Sequence, residues 1–96
     1  MAEVTFEWDQ RKAAANCSKH GVSFEVAQQA FFDVKRVIAR DLKHSTGEQR
    51  YYCMGQVDDE IITVRFTFRG RVVRIIGAGY WRQGRKLYEE QNQVHE

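Results

Sequence analysis

The chain contains no proline, only two cysteines and no apolar stretch near the length of a membrane span. Each absence excludes something. Without proline, low-complexity tracts or repeats, nothing reads as a linker, and the 96 residues are expected to form one domain over 1–96. A chain this short buries a thin core. Cys17 and Cys53 stand 36 positions apart, which makes neither a disulfide framework nor a metal pair. Both are expected as buried free thiols in a reducing compartment. The opening MAEVTFEWDQ has no signal-peptide core. A cytoplasmic protein with no membrane partner is the expectation. No spacing of Cys or His fits a metal site and there is no glycine-rich phosphate loop, so no cofactor and no metal are expected.

What is present is positive charge, unevenly spread. The net charge is +2, but residues 35–86 carry twelve basic and five acidic side chains, against three and five over residues 1–34. Ten of the fifteen basic residues are arginine, whose planar fork fits phosphate oxygens. A concentrated basic surface implies an anionic partner, commonly nucleic acid, or else a solvated basic surface with no partner.

Val4 to Trp8 alternates apolar and polar residues and predicts a short strand. Asp9 is placed to cap a helix over Gln10 to His20, and Gly21 to close it. Ala13, Ala14 and Cys17 share one side of that helix; Lys12, Asn16, Lys19 and His20 share the other. Ser23 caps a second helix, Phe24 to Phe32. The period then changes to two. Strands are predicted over Arg36 to Leu42, Gln49 to Val57, Ile61 to Phe68 and Arg71 to Ala78, followed by a helix over Trp81 to Gln91. The order β-α-α-β-β-β-β-α is α+β: a mainly antiparallel sheet with helices packed on one face.

Two-residue turns at Asp58-Asp59 and Arg69-Gly70 would set the pairing. They place Tyr52 opposite Arg65 and Arg65 opposite Arg74, with Arg50 and Thr67 alongside. Ile62, Val64, Phe66, Phe68, Val73 and Ile75 then share the core face. Like charges directly opposite one another destabilise a sheet. Gathered arginines therefore read as a seat for an anion such as a phosphodiester, unless they splay into solvent or are neutralised by carboxylates.

The string Phe6-Glu7-Trp8-Asp9, then Lys12, Asn16 and Lys19-His20-Gly21-Val22-Ser23-Phe24-Glu25, resembles the start of the BrnT family. The middle is similar through Phe32-Asp33, Asp41, His44-Ser45 and Glu48-Gln49-Arg50-Tyr51. The end is similar through Val64-Arg65-Phe66-Thr67, Arg69, Arg74-Ile75-Ile76 and Tyr88-Glu89. The likeness runs from about Val4 to Glu90. It implies a small RelE-like domain and an endoribonuclease toxin of a bacterial type II toxin–antitoxin pair. It also implies RNA as substrate and a BrnA-type antitoxin as inhibitor, with operator DNA contacted only through the antitoxin. Two toxins on an antitoxin dimer is the implied assembly. Many family members carry a Ser-Ala-Arg block where this chain reads Gly77-Ala78-Gly79, and a Glu-Arg pair where it reads Gly84-Arg85. If the missing arginine holds phosphate, Arg82 or Arg85 must replace it, or the enzyme is weak. The two glycines also expose backbone amides that could meet a phosphate.

Metal-independent cleavage of RNA needs a base for the 2′-hydroxyl, donors for the phosphate oxygens and an acid for the leaving oxygen. The expected catalytic set is Lys19, His20, His44, Glu48, Arg50, Arg65 and Arg74; histidine is the natural proton carrier near neutral pH. Lys12, Tyr52, Thr67, Arg69, Arg82 and Arg85 are expected to bind RNA, with Tyr52 and Trp81 able to stack on bases. His95 is set aside as part of the tail. Competing readings remain for each group. His20 can serve the carbonyls that end its helix; His44 can cap its loop with Ser45; Glu48 and Asp41 can neutralise arginines. At the level of the chain, the rival is a catalytically silent antitoxin-binding module that tunes repression of its operon. Direct DNA binding by the sheet lacks a recognition element.

Overall fold

The computed structural model describes residues 4–93; His95 lies outside them. Strand β1 covers Thr5–Glu7 and leads through Asp9 into helix α1, Gln10–His20. The Asp9 carboxylate accepts the free amides of Arg11 (2.8 Å) and Lys12 (3.1 Å), and Gly21 closes the helix in the left-handed conformation. Ser23 caps α2 by accepting the Val26 amide at 3.1 Å. The regular helix ends earlier than expected. It spans Phe24–Ala27 and tightens into a 3-10 segment over Gln28–Phe32, a common way to finish a helix.

The remaining elements are β2 (Val37–Arg40), β3 (Arg50–Val57), β4 (Glu60–Arg69), β5 (Val72–Gly79) and α3 (Arg82–Gln91). The five strands form one sheet in the order β1-β5-β4-β3-β2. Every pairing is antiparallel except β1 with β5, so the α+β class and the element order are those expected from the sequence.

Period-two alternation sorts the sheet into two faces. Cys53, Ile62, Val64, Phe66, Val73 and Ile75 are buried on one, with Val22, Phe24, Ala27 and Ala30 of the helical layer. Aromatic rings link the layers: Trp8 meets Phe24 at 6.0 Å between centroids, and Phe31 meets Phe66 at 4.9 Å, both edge to face. The expectation that helices cover this face holds for α1, α2 and the 3-10 segment. Helix α3 lies on the other face instead. A Cβ on Gly84 would overlap the Thr63 hydroxyl and touch Met54, both on the side opposite the core. Only a glycine permits that close approach. α3 is also tied round the sheet edge. The Tyr88 hydroxyl donates to Asp33 Oδ2 at 2.6 Å, and the same oxygen accepts the Gln56 amide at 2.7 Å, just past the end of the β2 pairing.

Two further expectations are corrected. The turn after β4 is Gly70-Arg71, not Arg69-Gly70, because Gly70 takes the positive φ (61°) at the first turn position. A bulge between Arg65 and Phe66 then leaves Ile76 unpaired. Arg65 therefore faces Gly77, and Arg74 faces Thr67. The second concerns α1. Ala13, Asn16 and His20 turn inward, while Ala14 and Cys17 are exposed. Asn16 wins that place because β1 pairs with β5 only over 72–74, leaving Ala78, paired with Val64 on its other side, without a strand on the β1 side. The Asn16 amide accepts from Ala78 N at 3.1 Å and donates to Ala78 O at 2.9 Å and Val22 O at 3.0 Å.

Candidate nucleic-acid interface

The face opposite the core has one end under α3 and the rest open. The row across the open part reads Arg50, Thr67, Arg74, Glu7; the next row towards α3 reads Ala39, Tyr52, Arg65, Gly77. Arg50 and Arg74 thus flank Thr67, and Arg65 is the diagonal neighbour of both, at roughly 7–8 Å between backbones. The arginine cluster expected from the sequence is present on one face, with a different arrangement inside it.

Its members differ in pairing. Arg74 donates to Glu7 Oε2 at 2.8 Å. Arg50 stands 3.6 Å from Glu48, whose other oxygen is 4.0 Å from Arg69. Arg65 has no carboxylate within ion-pair distance among the described residues. The Nε atoms of Arg50 and Arg65 are buried without a hydrogen-bond partner there. A buried donor left unpaired costs about 1–3 kcal/mol, so neither guanidinium is fully satisfied by the described residues. Thr67 is only 2% exposed and its hydroxyl donates to Gln49 O at 2.6 Å. That hydroxyl holds the β3 entry and is not directed at a ligand. Glu48 is likewise placed as the neutraliser of Arg50 and Arg69.

One margin of this floor is the loop before β3. Asp41 is 3% exposed, and His44 lies over it with Nδ1 at 3.0 Å from Oδ2. The His44 amide donates to Asp41 Oδ1 at 3.2 Å, and Ser45 Oγ bridges Asp41 O (2.5 Å) and Arg50 N (3.0 Å). Burial pushes the Asp41 pKa up, but the hydrogen bonds from His44, its charge when protonated and the Tyr52 hydroxyl outweigh this and hold the carboxyl below its usual range. The Tyr52 hydroxyl is shifted the other way, upward, by its own burial and by Asp41. The His44 side chain is 46% exposed, with Nδ1 held by Asp41. From the sequence Asp41 could be a base or a counter-charge to arginine; its place beneath His44 is what the fold adds. Its spacing of three from His44 was the available signal, because that spacing lets a loop carboxylate close on its histidine.

The opposite margin is the C-terminal end of α1. The His20 ring meets the Trp81 ring edge to face at 5.3 Å. Trp81 in turn lies over Gly79, where a Cβ would stand 2.6 Å from the indole. Arg65 runs past Gly77, its Cδ 3.9 Å from where a Cβ would be. The Gly77-Ala78-Gly79 stretch is thus a bed for Arg65, Asn16 and Trp81. Lys12 and Lys19 are exposed on α1 beside it, and the charges of Lys12 and Arg74 both lower the pKa of Asp9 after its two backbone hydrogen bonds. His20 and His44 therefore stand at opposite margins rather than in one catalytic pair.

Arg82 and Arg85 are not brought to the floor. They line a cavity of about 540 Å³ on the far side of α3 with Asp59, Glu60 and Glu89, and Arg85 pairs with Glu89 at 3.4 Å. Three carboxylates and two guanidiniums thus share that lining. Among the described residues no helix is long and apolar enough to cross a membrane.

A family model described as "Ribonuclease toxin, BrnT, of type II toxin-antitoxin system" matches residues 8–84. No curated protein matches the chain.

Proposed function

The chain belongs to the BrnT family of ribonuclease toxins of type II toxin–antitoxin systems, and from that premise we propose that it is an endoribonuclease whose scissile phosphate sits on the open sheet face against Arg65. The observation that carries this reading is the pairing pattern: among the described residues Arg65 is a cation without a carboxylate, between two arginines that have one each. An RNA phosphate placed there takes donors from Arg65 and Arg50, and the Arg74–Glu7 pair keeps total charge on the floor from becoming prohibitive. His44 is the proton carrier. Asp41 fixes its Nδ1, so that Nε2 takes the 2′-hydroxyl proton as that oxygen attacks phosphorus; the P–O5′ bond breaks, the 5′-oxygen leaves with a proton from water, a 2′,3′-cyclic phosphate remains, and the carboxylate stabilises the imidazolium that forms. The arginines supply the positive charge on the phosphate, so cleavage is metal-independent.

As a type II toxin the protein has an antitoxin partner. We assign that partner to the BrnA type, acting in the cytoplasm in a complex of two toxins with an antitoxin dimer that contacts the operator. The silent-module alternative is decided by the same experiment. Purified protein is incubated with single-stranded RNA in EDTA, beside Arg65→Ala and His44→Ala variants of matched thermal stability. Cleavage by the parent and losses of about a hundredfold or more in Arg65→Ala support the reading. Intact RNA with the parent, or undiminished rates in both variants, would overturn it. Inducible expression with and without the neighbouring antitoxin gene tests the toxin reading in cells.

A further inference from the structure

A second cavity, of about 400 Å³, opens between α3 and the sheet directly beside the arginine floor. Its sheet side is Ala39, Arg40, Tyr52 and Met54; its helix side is Trp81, Gln83 and Leu87. Nothing in the phosphate chemistry above uses it. We propose that this cavity holds a nucleobase of the bound RNA, next to the phosphate on Arg65. The proposal rests on the reading of the floor as an RNA site and adds the part of the substrate that the floor does not recognise.

Four features carry it. The lining is apolar and flat where a base needs it: two aromatic rings with a thioether and an alkyl side chain between them. Trp81 is held before any ligand arrives, since its indole is bedded on Gly79 and buttressed by His20, which lowers the ordering cost of stacking. Polar groups are few and suited to a base edge. The Gln83 amide both donates and accepts, and the Arg40 guanidinium, which also contacts Gln49, lines the β2 side, whereas the Thr63 hydroxyl is covered by Gly84 and takes no part. Finally, the cavity and the floor share a residue. Tyr52 lines the cavity and is the cross-strand partner of Arg65. A base beside the Tyr52 ring therefore leaves its own phosphate over Arg65. The cavity of comparable size beyond α3 has no such neighbour and a carboxylate rim.

The test compares two probes on the full chain by fluorescence anisotropy: a 2′-O-methyl hexanucleotide, which cannot be cleaved, and the same backbone without bases. The base-bearing probe is expected to bind about 5- to 150-fold more tightly, the worth of one stacked base. Ala39→Trp, which fills the cavity from β2, is expected to reduce its affinity to that of the abasic probe while leaving abasic binding unchanged. Should that variant not fold, the two probes on the parent decide the matter alone. Equal affinity for both probes overturns the base pocket and leaves the phosphate floor standing. Failure of both probes to bind overturns the floor and the pocket together. A nucleoside 5′-monophosphate bound as tightly as the hexanucleotide would make a free nucleotide the occupant and also overturn the assignment to RNA.

Discussion

The two faces of the sheet are made by the same strands and differ in almost everything else. Along β4, Ile62, Val64 and Phe66 disappear under α2 and the 3-10 segment, while Arg65 and Arg69 alternate with them on the other side. The first face is closed by a continuous helical layer. The second is closed at one end by α3 and open at the other, and the arginines, Tyr52 and the Asp41–His44 pair lie at the open end. The difference teaches that stability and chemistry are carried by adjacent residues of one strand without being mixed, because each side chain has access to one face only. In a 96-residue chain with a thin core, this alternation gathers several arginines on one face without taking positions from the core.

The sharpest test of that division uses neighbours in β4. Phe66→Ala empties a fully packed position and is expected to cost about 3–5 kcal/mol in denaturant unfolding. Arg65→Ala, one residue away, is expected to change stability by less than about 1 kcal/mol while removing most of the cleavage rate. If Arg65→Ala unfolded the protein as Phe66→Ala does, the two faces would not be separable in this way.

Tyr88→Phe probes the point where the faces are tied together. It deletes the hydroxyl that donates to Asp33, a hydrogen bond to a charged acceptor worth about 1.5–3 kcal/mol, and α3 should loosen before the rest of the sheet. Hydrogen exchange along α3 and a thermal melt would show whether the loss is local. A variant as stable as the parent, with α3 equally protected, would remove Asp33 from its role as the tie.

Acid and alkali attack the same tie from opposite sides. Burial pushes the Asp33 carboxyl up, but the Tyr88 hydroxyl and the Gln56 and Lys35 amides outweigh it and hold the pKa below 3.8. Its contribution, like that of Asp41, is present above the unfolded value and is lost as pH falls through the lower folded one. Burial and the neighbouring Asp33 push Tyr88 up to about 12 from 10.0, so its contribution is present below 10.0 and disappears as pH rises towards 12. Stability measured against pH should therefore be flat between about pH 5 and 9 and fall on both sides. Tyr88→Phe should shrink the alkaline fall. An alkaline limb unchanged by that substitution would place its origin elsewhere.

The smallest effect concerns the thiols. Burial pushes Cys53 up to about 12, whereas Cys17 is exposed on α1. A thiol reagent should label Cys17 in the native protein and Cys53 only after unfolding, with little change in stability from Cys17→Ser. Rapid double labelling of the native protein would mean that the core face opens far more readily than its packing implies.

Much of this molecule follows from local rules. The Asp9 and Ser23 caps, the left-handed Gly21, the alternation that divides Val64 from Arg65 and the order of elements all depend on residues close in sequence, where propensity and hydrogen-bond geometry act without help from the rest of the chain. What escaped those rules depends on meetings between distant segments. A shift of two residues in the β4–β5 register keeps every side chain on its face, so hydrophobic patterning could not distinguish Arg74 opposite Arg65 from Arg74 opposite Thr67. The choice lay with the Gly70-Arg71 turn and the Ile76 bulge. Asn16 looks like a solvent-facing residue until the β1-side edge of Ala78 is brought against it, and Asp41 looks like one acid among thirteen until its loop folds over it. The side of the sheet taken by α3 was settled by Gly84 fitting over Thr63 and by Tyr88 reaching Asp33. Both are contacts across more than twenty residues of chain, and packing and buried hydrogen bonds select among arrangements that local preference leaves equal.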